Sequence, residues 1–210
     1  MNVAEATVSA YLDDLAARKP APGGGSVAAL VGALAAALDS MVANFTVGKP
    51  QFAAVEAEVR DLLAATEAAR RELLALAQAD MDEYLKVSAA YALPREGEEQ
   101  QRARTRAIQQ ALKDACAVPM RTALACQDVL RLTRDLMDKG NPRLISDLGI
   151  AALLAESAFL CAWLNVEVNL AAISDEAYRT QVRRVLEPLM GKGRYLREEV
   201  WERVVKSIRR

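Results

Sequence analysis

Hydrophobic positions along this chain recur every three to four residues, which is the spacing of one face of an α-helix. No stretch alternates apolar and polar residues as a half-buried strand would, and alanine, a strong helix former, recurs throughout. The sequence therefore predicts an all-α protein. Short segments rich in glycine and proline divide it, and they lie at 20–25, 48–50, 94–97, 140–142 and 191–193.

The stretches between these breaks predict a single-domain bundle of about seven helices that covers residues 1–210. No linker or low-complexity segment offers a domain boundary, and a chain of this length suits one sizeable core. The helices at 51–92 and 98–139 are joined by a short loop and should pack as antiparallel neighbours. The other predicted helices cover 4–18, 26–47, 146–173, 174–190 and 195–208.

Two of the predicted helices, 26–47 and 146–173, are apolar nearly all round and should be central in the bundle. The first carries a ridge of small residues, on which we expect another helix, either from this chain or from a second subunit. Because the apolar surface exceeds what one chain of this size readily covers, the sequence predicts a homodimer. The small ridge consists of Ala29, Ala33, Ala36, Ser40 and Asn44, and a large ridge beside it of Leu30, Leu34, Leu38, Met41 and Phe45.

Composition narrows the classes of function. The formal net charge is −1 and the basic residues are dispersed, so there is no electrostatic footprint for nucleic acid. The chain has no histidine and three cysteines without a CxxC pair, so we expect neither a metal site nor a disulfide framework. Any proton transfer must therefore use carboxylates, lysine, tyrosine, cysteine or ordered water.

The sequence favours a cytoplasmic location. The amino terminus carries acidic residues where a signal peptide needs a basic start and an apolar run. The most apolar stretch, 27–38, has twelve residues and ends at Asp39, whereas a helix that spans a bilayer needs about 20. We expect no membrane segment.

The segment Gly23-Gly24-Gly25-Ser26, preceded by Pro22, lies directly before the first apolar helix. Its glycines permit positive φ and the close approach of a ligand, and Ser26 suits the helix N-cap. The amides of the first helical turn attract anions or carbonyl oxygens. The segment is therefore a candidate ligand cradle. The alternative is a tight turn through which the helix enters the core.

A second candidate lies at the start of the other apolar helix, where Asn141 is followed by Ser146 and Asp147. Ser146 suits the N-cap, and Asp147 in the first turn is favoured by the helix dipole. Capping alone explains both residues. Because the helix is apolar enough to be buried, the Asp147 carboxylate should also be partly desolvated, and its pKa becomes tunable as a proton carrier requires.

Farther along that helix, Asn165 lies 18 residues beyond Asp147, on the same face and about 27 Å away. Asn169 continues the face. An elongated ligand lying along the helix would meet polar groups at both ends. The alternative is that both asparagines form hydrogen bonds between helices of the bundle.

Asp80 and Tyr84 share one face of the predicted helix 51–92. The carboxylate suits a ring amide or guanidine-like edge, and the aromatic ring suits stacking on a planar ligand. Lys49 and Arg95 lie beside loops that end helices, where they suit the carboxylates of an acidic ligand tail. Amphipathic packing and solvated surface charge are the alternatives for these four positions.

Taken as an ordered set, five segments resemble the motifs of the cyclodeaminase domain of the formiminotransferase-cyclodeaminase family and of its stand-alone bacterial relatives, which include methenyltetrahydrofolate cyclohydrolases. The likeness runs from about residue 5 to 180. The segments are APGGGSVAAL, MVANFTVGK, DMDEYLKVSAAYALPR, GNPRLISDLGIAALLAE and LNVEVNLAAISD.

This resemblance implies an all-α homodimer that binds tetrahydrofolate derivatives, polyglutamylated ones among them, and needs no cofactor beyond that substrate. We predict Asp147 as the proton carrier, with Asn141 and Ser146 orienting it. The substrate-binding residues that the resemblance implies are Gly23, Gly24, Gly25, Ser26, Asn44, Lys49, Asp80, Tyr84, Arg95 and Asn165.

Three positions depart from the family pattern. Arg95 stands where lysine is usual, which keeps the positive charge but cannot shuttle a proton. Phe52 replaces a common tyrosine, and Arg143 with Leu144 replaces a pair of smaller residues. A mechanism that needs a lysine acid at position 95 is therefore disfavoured.

The resemblance implies two reactions, because the motifs of the formiminotransferase half are absent and transfer of the formimino group itself is not expected. A cyclodeaminase closes 5-formiminotetrahydrofolate to 5,10-methenyltetrahydrofolate and releases ammonia. The alternative, a cyclohydrolase, adds water to the methenyl carbon and gives 10-formyltetrahydrofolate. A second alternative is a non-catalytic folate-binding or helical assembly protein.

Overall fold

The computed structural model describes residues 1–209, and Arg210, the last residue of the predicted domain, lies outside the described residues. The described residues form six α-helices and no strand, so the predicted all-α fold is confirmed. Two 3-10 turns, Pro50–Val55 and Pro142–Leu144, precede the third and fifth helices. The helices are α1 (Val8–Ala16), α2 (Gly24–Asn44), α3 (Glu56–Tyr91), α4 (Gly97–Lys139), α5 (Ile145–Ala172) and α6 (Glu176–Ile208).

The prediction of two separate helices at the carboxyl end is wrong, because residues 176–208 form the single helix α6. A glycine inside a helix costs only about 1 kcal/mol relative to alanine, so its neighbours decide whether it is tolerated. Gly193 is buried, and a Cβ at this position would lie 3.1 Å from Gln127 Oε1 and 3.5 Å from Leu130. The glycine therefore allows α6 to approach α4 closely and does not end the helix.

The helix N-caps predicted at two serines are also wrong. The N-cap of α2 is Gly23, so Ser26 lies inside the first turn, and Gly23 has no side chain with which to cap the helix. Ser146 is the second residue of α5. Asn141 is instead the N-cap of the 3-10 turn Pro142–Leu144 that precedes α5, because its Oδ1 accepts a hydrogen bond from the Arg143 N–H at 3.1 Å.

The two apolar helices, α2 and α5, run antiparallel beside each other. The first turn of α2 faces Asn165 near the end of α5, since a Cβ on Gly24 would lie 3.7 Å from the Asn165 amide. At the other end, the Asn141 N–H donates to Thr46 Oγ1 at 2.9 Å, which ties the start of α5 to the end of α2. The pair lies on a second layer, in which α4 packs between α3 and α6.

The small-residue ridge of α2 packs within the chain. Its alanines are buried, and Ser40 Oγ donates to Thr66 Oγ1 of α3 at 2.9 Å. The expected helix on this ridge is therefore α3 of the same chain. Two members of the large ridge face outward instead, since Leu34 is 53% exposed and Phe45 is 52% exposed. The other three, Leu30, Leu38 and Met41, are half-buried.

Length and composition alone would allow two helical segments of the described chain to cross a bilayer, Gly24–Asn44 and Pro142–Ala172, each with a mean hydropathy of 1.8. The core helices of soluble proteins have the same properties. In the most apolar window of Gly24–Asn44, 61% of the residues are buried within the protein, as in a core helix. The corresponding value for Pro142–Ala172 is 39%, because one face of α5 is uncovered.

Candidate active site

A pocket of about 370 Å³ opens at the amino-terminal end of α2, and this volume lies within the range of small-molecule sites. Apolar side chains form most of its wall, and its few polar groups come from the glycine segment, α3 and α5. The lining residues are Pro20, Ala21, Gly23, Gly24, Gly25, Asp80, Met81, Tyr84, Val87, Leu112, Ala115, Asn165, Val168, Asn169 and Ala172. Residues that lie far apart in the sequence thus share one pocket.

Asp80 of α3 projects onto the first turn of α2. Its carboxylate accepts a hydrogen bond from the backbone N–H of Ser26. It therefore replaces the side-chain cap that Gly23 cannot provide. A Cβ on Gly25 would overlap this carboxylate, so the absence of a side chain at position 25 is what admits it. None of the three loop glycines has positive φ, so their use here is close approach and not an unusual backbone conformation.

The environment of Asp80 favours proton binding. Burial raises the pKa of this carboxyl group above its ordinary value, and the hydrogen bond from the Ser26 N–H opposes the rise. Asp80 and Tyr84 are the titratable side chains among the described residues that line the pocket. A carboxyl group with raised proton affinity in a mostly apolar pocket is a typical arrangement for acid–base chemistry.

Two asparagines of α5 form the opposite wall. Asn165 Nδ2 donates to the carbonyl of Cys161 at 2.8 Å, and Asn169 Nδ2 donates to the carbonyl of Asn165 at 2.9 Å. Both amide nitrogens are thus used by the helix itself. The side-chain oxygens have no such partner among the hydrogen bonds of residues 1–209, and they suit the N–H groups of a ligand.

Some parts of the pocket have no signal in the sequence. Leu112 and Ala115 of α4 line it, although their helix has only the pattern of an amphipathic surface helix. Ser26, predicted to contact the ligand, lies behind the glycine segment and is fully buried. Its Oγ accepts a hydrogen bond from Tyr11 Oη of α1 at 3.0 Å. In the sequence, Tyr11 is merely part of an apolar stripe.

The other predicted site residues gather at the opposite end of α2. Thr46, which is fully buried, joins them by donating to the Val42 carbonyl at 2.7 Å and accepting from the Asn141 N–H. Asn141 Nδ2 also donates to the Phe45 carbonyl at 3.4 Å. Asp147, in the first turn of α5, and Asn141 are half-buried, while Asn44, Lys49 and Ser146 are exposed. We call this group the carboxyl-end cluster: Asn44, Lys49, Asn141, Ser146 and Asp147.

The pocket and the carboxyl-end cluster are far apart in one protomer. Eighteen residues of helix separate Ser26 from Asn44, and the same number separates Asp147 from Asn165, which corresponds to about 27 Å in each case. Arg95 belongs to neither group and lies exposed between α3 and α4. Among the described residues that line the pocket there is no lysine or arginine to meet an acidic ligand tail.

Comparison with known proteins identifies the family. The model of the formiminotransferase-cyclodeaminase family matches residues 7–188. This chain belongs to that family. The match confirms the resemblance that the ordered motifs indicate, and it includes both the pocket residues and the carboxyl-end cluster.

Individual relatives carry two different names. A methenyltetrahydrofolate cyclohydrolase of Methylorubrum extorquens is 38% identical over 202 residues, which are 96% of this chain and 97% of that protein. A formimidoyltransferase-cyclodeaminase of Rattus norvegicus is 34% identical over 190 residues, 90% of this chain but only 35% of the rat protein. The crystal structure of a formiminotetrahydrofolate cyclodeaminase from Thermotoga maritima superposes with a TM-score of 0.81 at 36% identity, covering 98% of this chain and 96% of that one.

Proposed function

We propose that this protein is an enzyme that transforms a one-carbon unit carried by tetrahydrofolate, bound in the pocket at the amino-terminal end of α2. The observation that carries the proposal is the half-buried Asp80 carboxyl group, held against the family's glycine segment in a pocket of ligand size. Family membership supports the substrate class, since the relatives are named for tetrahydrofolate derivatives.

We assign the proton carrier to Asp80 and no longer to Asp147. In the cyclodeaminase reaction, the anilino nitrogen of the folate attacks the formimino carbon, and ammonia leaves once its nitrogen is protonated. The raised pKa of Asp80 suits this proton delivery. In the cyclohydrolase reaction, water attacks the methenyl carbon and loses a proton as the ring opens, and the ionised Asp80 suits its removal.

One assay separates these reactions. Purified protein is supplied with 5-formiminotetrahydrofolate or with 5,10-methenyltetrahydrofolate, and the methenyl absorbance is followed. A rise with the first compound indicates the cyclodeaminase, and an accelerated loss with the second indicates the cyclohydrolase. Folate binding without either change would instead support the non-catalytic alternative and refute the proposal.

We further propose that the active form is a homodimer joined through the outward faces of α2 and α5. These faces carry large apolar side chains and no charged residue, and monomers rarely leave a contiguous surface of this kind open. The two glutamates of α5 point elsewhere, since Glu156 and Glu167 pair with Arg197 and Arg183 of α6. The face consists of Leu34, Phe45, Ile150, Leu153, Leu160, Leu164 and Val168.

A second copy placed on this face would also unite the two groups of site residues. The pocket and the carboxyl-end cluster lie at opposite ends of α2 and α5. A two-fold axis that lies in the plane of the face and runs perpendicular to these helices therefore lays the carboxyl-end cluster of one protomer over the pocket of the other. Lys49 from the second copy would then supply the cation that the pocket lining lacks, which suits the carboxylates of a polyglutamylated tail. Asn141, Ser146 and Asp147 would hold the same ligand from that side.

The dimer proposal is tested by Leu164→Arg, since Leu164 is 57% exposed on this face. A buried, unpaired arginine should prevent association and leave a folded monomer of 22.8 kDa in light scattering. Val8→Arg is the matched control, because Val8 is exposed on α1 away from the face. A wild-type protein that is already monomeric at micromolar concentration, or that binds vesicles through this face, would overturn the proposal. We expect the dimer to act in the cytoplasm as a single-domain protein.

A further inference from the structure

A buried hydrogen bond joins α1 to the segment that carries the pocket. Tyr11 is only 6% exposed, and its hydroxyl donates to Ser26 Oγ at 3.0 Å. Ser26 is fully buried, and its side chain does not line the pocket. The bond therefore does not serve a ligand directly, although it ends on the residue directly behind the ligand site.

Ser26 connects this bond to the reacting carboxyl group. Its backbone N–H donates to Asp80, while its side-chain oxygen accepts a hydrogen bond from the Tyr11 hydroxyl. The carboxylate also lies so close to Gly25 that a shift of the first turn of α2 would displace it or lose the hydrogen bond. Tyr11 thus fixes the turn on which Asp80 rests.

The surroundings of Asp80 contain few other groups that would set its proton affinity. The lining from α4 is apolar, and that from α5 consists of neutral asparagines and apolar residues. On α3 the neighbouring acids Asp82 and Glu83 are bonded to Gln78 and Lys86. Apart from burial and the Ser26 N–H itself, the hydroxyl dipole of Tyr11, whose positive end points toward Ser26, therefore has no charged competitor among the described residues of the pocket.

We propose that Tyr11 is a positioning residue for Asp80: acting through Ser26, its hydroxyl holds the carboxyl group in place and favours the ionised form. The inference rests on the proposed function in that it takes Asp80 as the proton carrier. It assigns a role to α1, which the family motifs and the pocket lining leave without one.

The test is Tyr11→Phe, which keeps the ring and removes only the hydroxyl. The loss of one neutral hydrogen bond beside the site should lower turnover about two- to tenfold with little change in KM. The pH limb of turnover that reports Asp80 should move to higher pH by about half a unit to one unit, because the ionised form loses support. Tyr178→Phe is the matched control, since the Tyr178 hydroxyl donates to the Lys113 carbonyl at 3.2 Å outside the pocket. It should leave turnover and the pH limb unchanged.

A second readout does not depend on activity. The protein is labelled at the aspartate carboxyl carbon for NMR, and the signal that disappears in Asp80→Asn is assigned to Asp80. The titration midpoint of this signal is then compared in wild type and Tyr11→Phe. A higher midpoint in the variant supports the positioning role even if both folate assays fail, in which case only the proposed function falls. Equal midpoints overturn the inference, whatever the activity.

The route through Ser26 is tested by Ser26→Ala and by the double variant. If Tyr11 acts through Ser26, each single variant and the double should raise the Asp80 midpoint by the same amount. Additive shifts would show that Tyr11 acts on its own and overturn the route. Should Tyr11→Phe fail to fold, as judged by circular dichroism, Ser26→Ala alone decides, and an unchanged midpoint there refutes the inference.

Discussion

Two variants that each have low activity as homodimers should regain activity when one chain of each forms a mixed dimer. Asp80→Asn removes the proposed proton carrier from the pocket, and Asp147→Asn alters the carboxyl-end cluster. Asparagine keeps the size and one hydrogen-bonding oxygen of aspartate but exchanges no proton at neutral pH. The Asp80→Asn homodimer should therefore lose about 10² to 10⁴ in turnover. The Asp147→Asn homodimer should lose about tenfold or more, because the cluster then offers the ligand a neutral amide in place of a carboxylate. Neither change should alter the melting temperature much.

The expected magnitude follows from the separation of the two residues. Because about 27 Å divides the pocket from the cluster in one chain, each complete site must take its pocket from one copy and its cluster from the other. A mixed dimer then holds one site with both changes and one site with neither. Its turnover should be about half that of the wild-type dimer, and a random mixture should reach about a quarter.

The assay uses the two variants with different affinity tags, expressed together and purified through both tags. Turnover is measured by methenyl absorbance, and dimers of each single variant carrying both tags serve as controls. If pocket and cluster act within one chain, each site of the mixed dimer carries one of the two changes, and the mixed dimer will not show this recovery. A mixed dimer as inactive as Asp80→Asn would refute the shared site, and a fully active Asp147→Asn dimer would remove Asp147 from it.

Two further predictions concern a glycine and a buried acid. Gly25→Ala should lower turnover more than tenfold, because its Cβ overlaps the Asp80 carboxylate. Gly191→Ala is the control, since its Cβ has no atom within 4 Å and it lies outside the pocket, and it should leave turnover within about twofold. Equal turnover of the two variants would contradict this. Asp39 is fully buried, and burial raises its pKa well above the ordinary value, so its contribution to stability is largest in acid and declines as pH rises toward the folded-state pKa. Asp39→Asn should therefore unfold at a higher temperature than wild type at pH 8, and this advantage should shrink toward pH 5. Between the unfolded-state and folded-state pKa of Asp39, the free energy of unfolding of wild type should fall relative to the variant by about 1.4 kcal/mol per pH unit. A constant difference between the two pH values would show that Asp39 is ionised in the folded protein.

Local signals in the sequence were sufficient to predict the helical fold. The apolar helices predicted at 26–47 and 146–173 are close to the observed α2 and α5, because strong helix formers and glycine–proline breaks act over a few residues. The same rules fail at Gly193, which resembles a break but is a packing contact with Gln127. Whether a glycine ends a helix or admits a neighbour depends on the neighbour, which a local pattern does not contain.

The candidate site, like the fold, could be predicted from the sequence only in part. The glycine segment, Asp80, Tyr84 and Asn165 were all identified in the sequence, and the structure brings them to one pocket. Their separation from Asp147 follows from helix length once α2 and α5 are known to be antiparallel. What the sequence did not provide is the depth of each group: Ser26, expected at the ligand, is buried behind the segment.

The absence of histidine explains why burial of Asp80 matters for the proposed chemistry. The chain has no imidazole, so a side chain that exchanges a proton near neutral pH must have a pKa shifted from its ordinary value. Asp147 lies half-buried in the first turn of α5. Asp80 caps a helix, yet it lies in a mostly apolar pocket where desolvation is the larger influence on its pKa and the Ser26 N–H the smaller. These opposing influences bring the Asp80 carboxyl group closer to the range in which it can both donate and accept a proton.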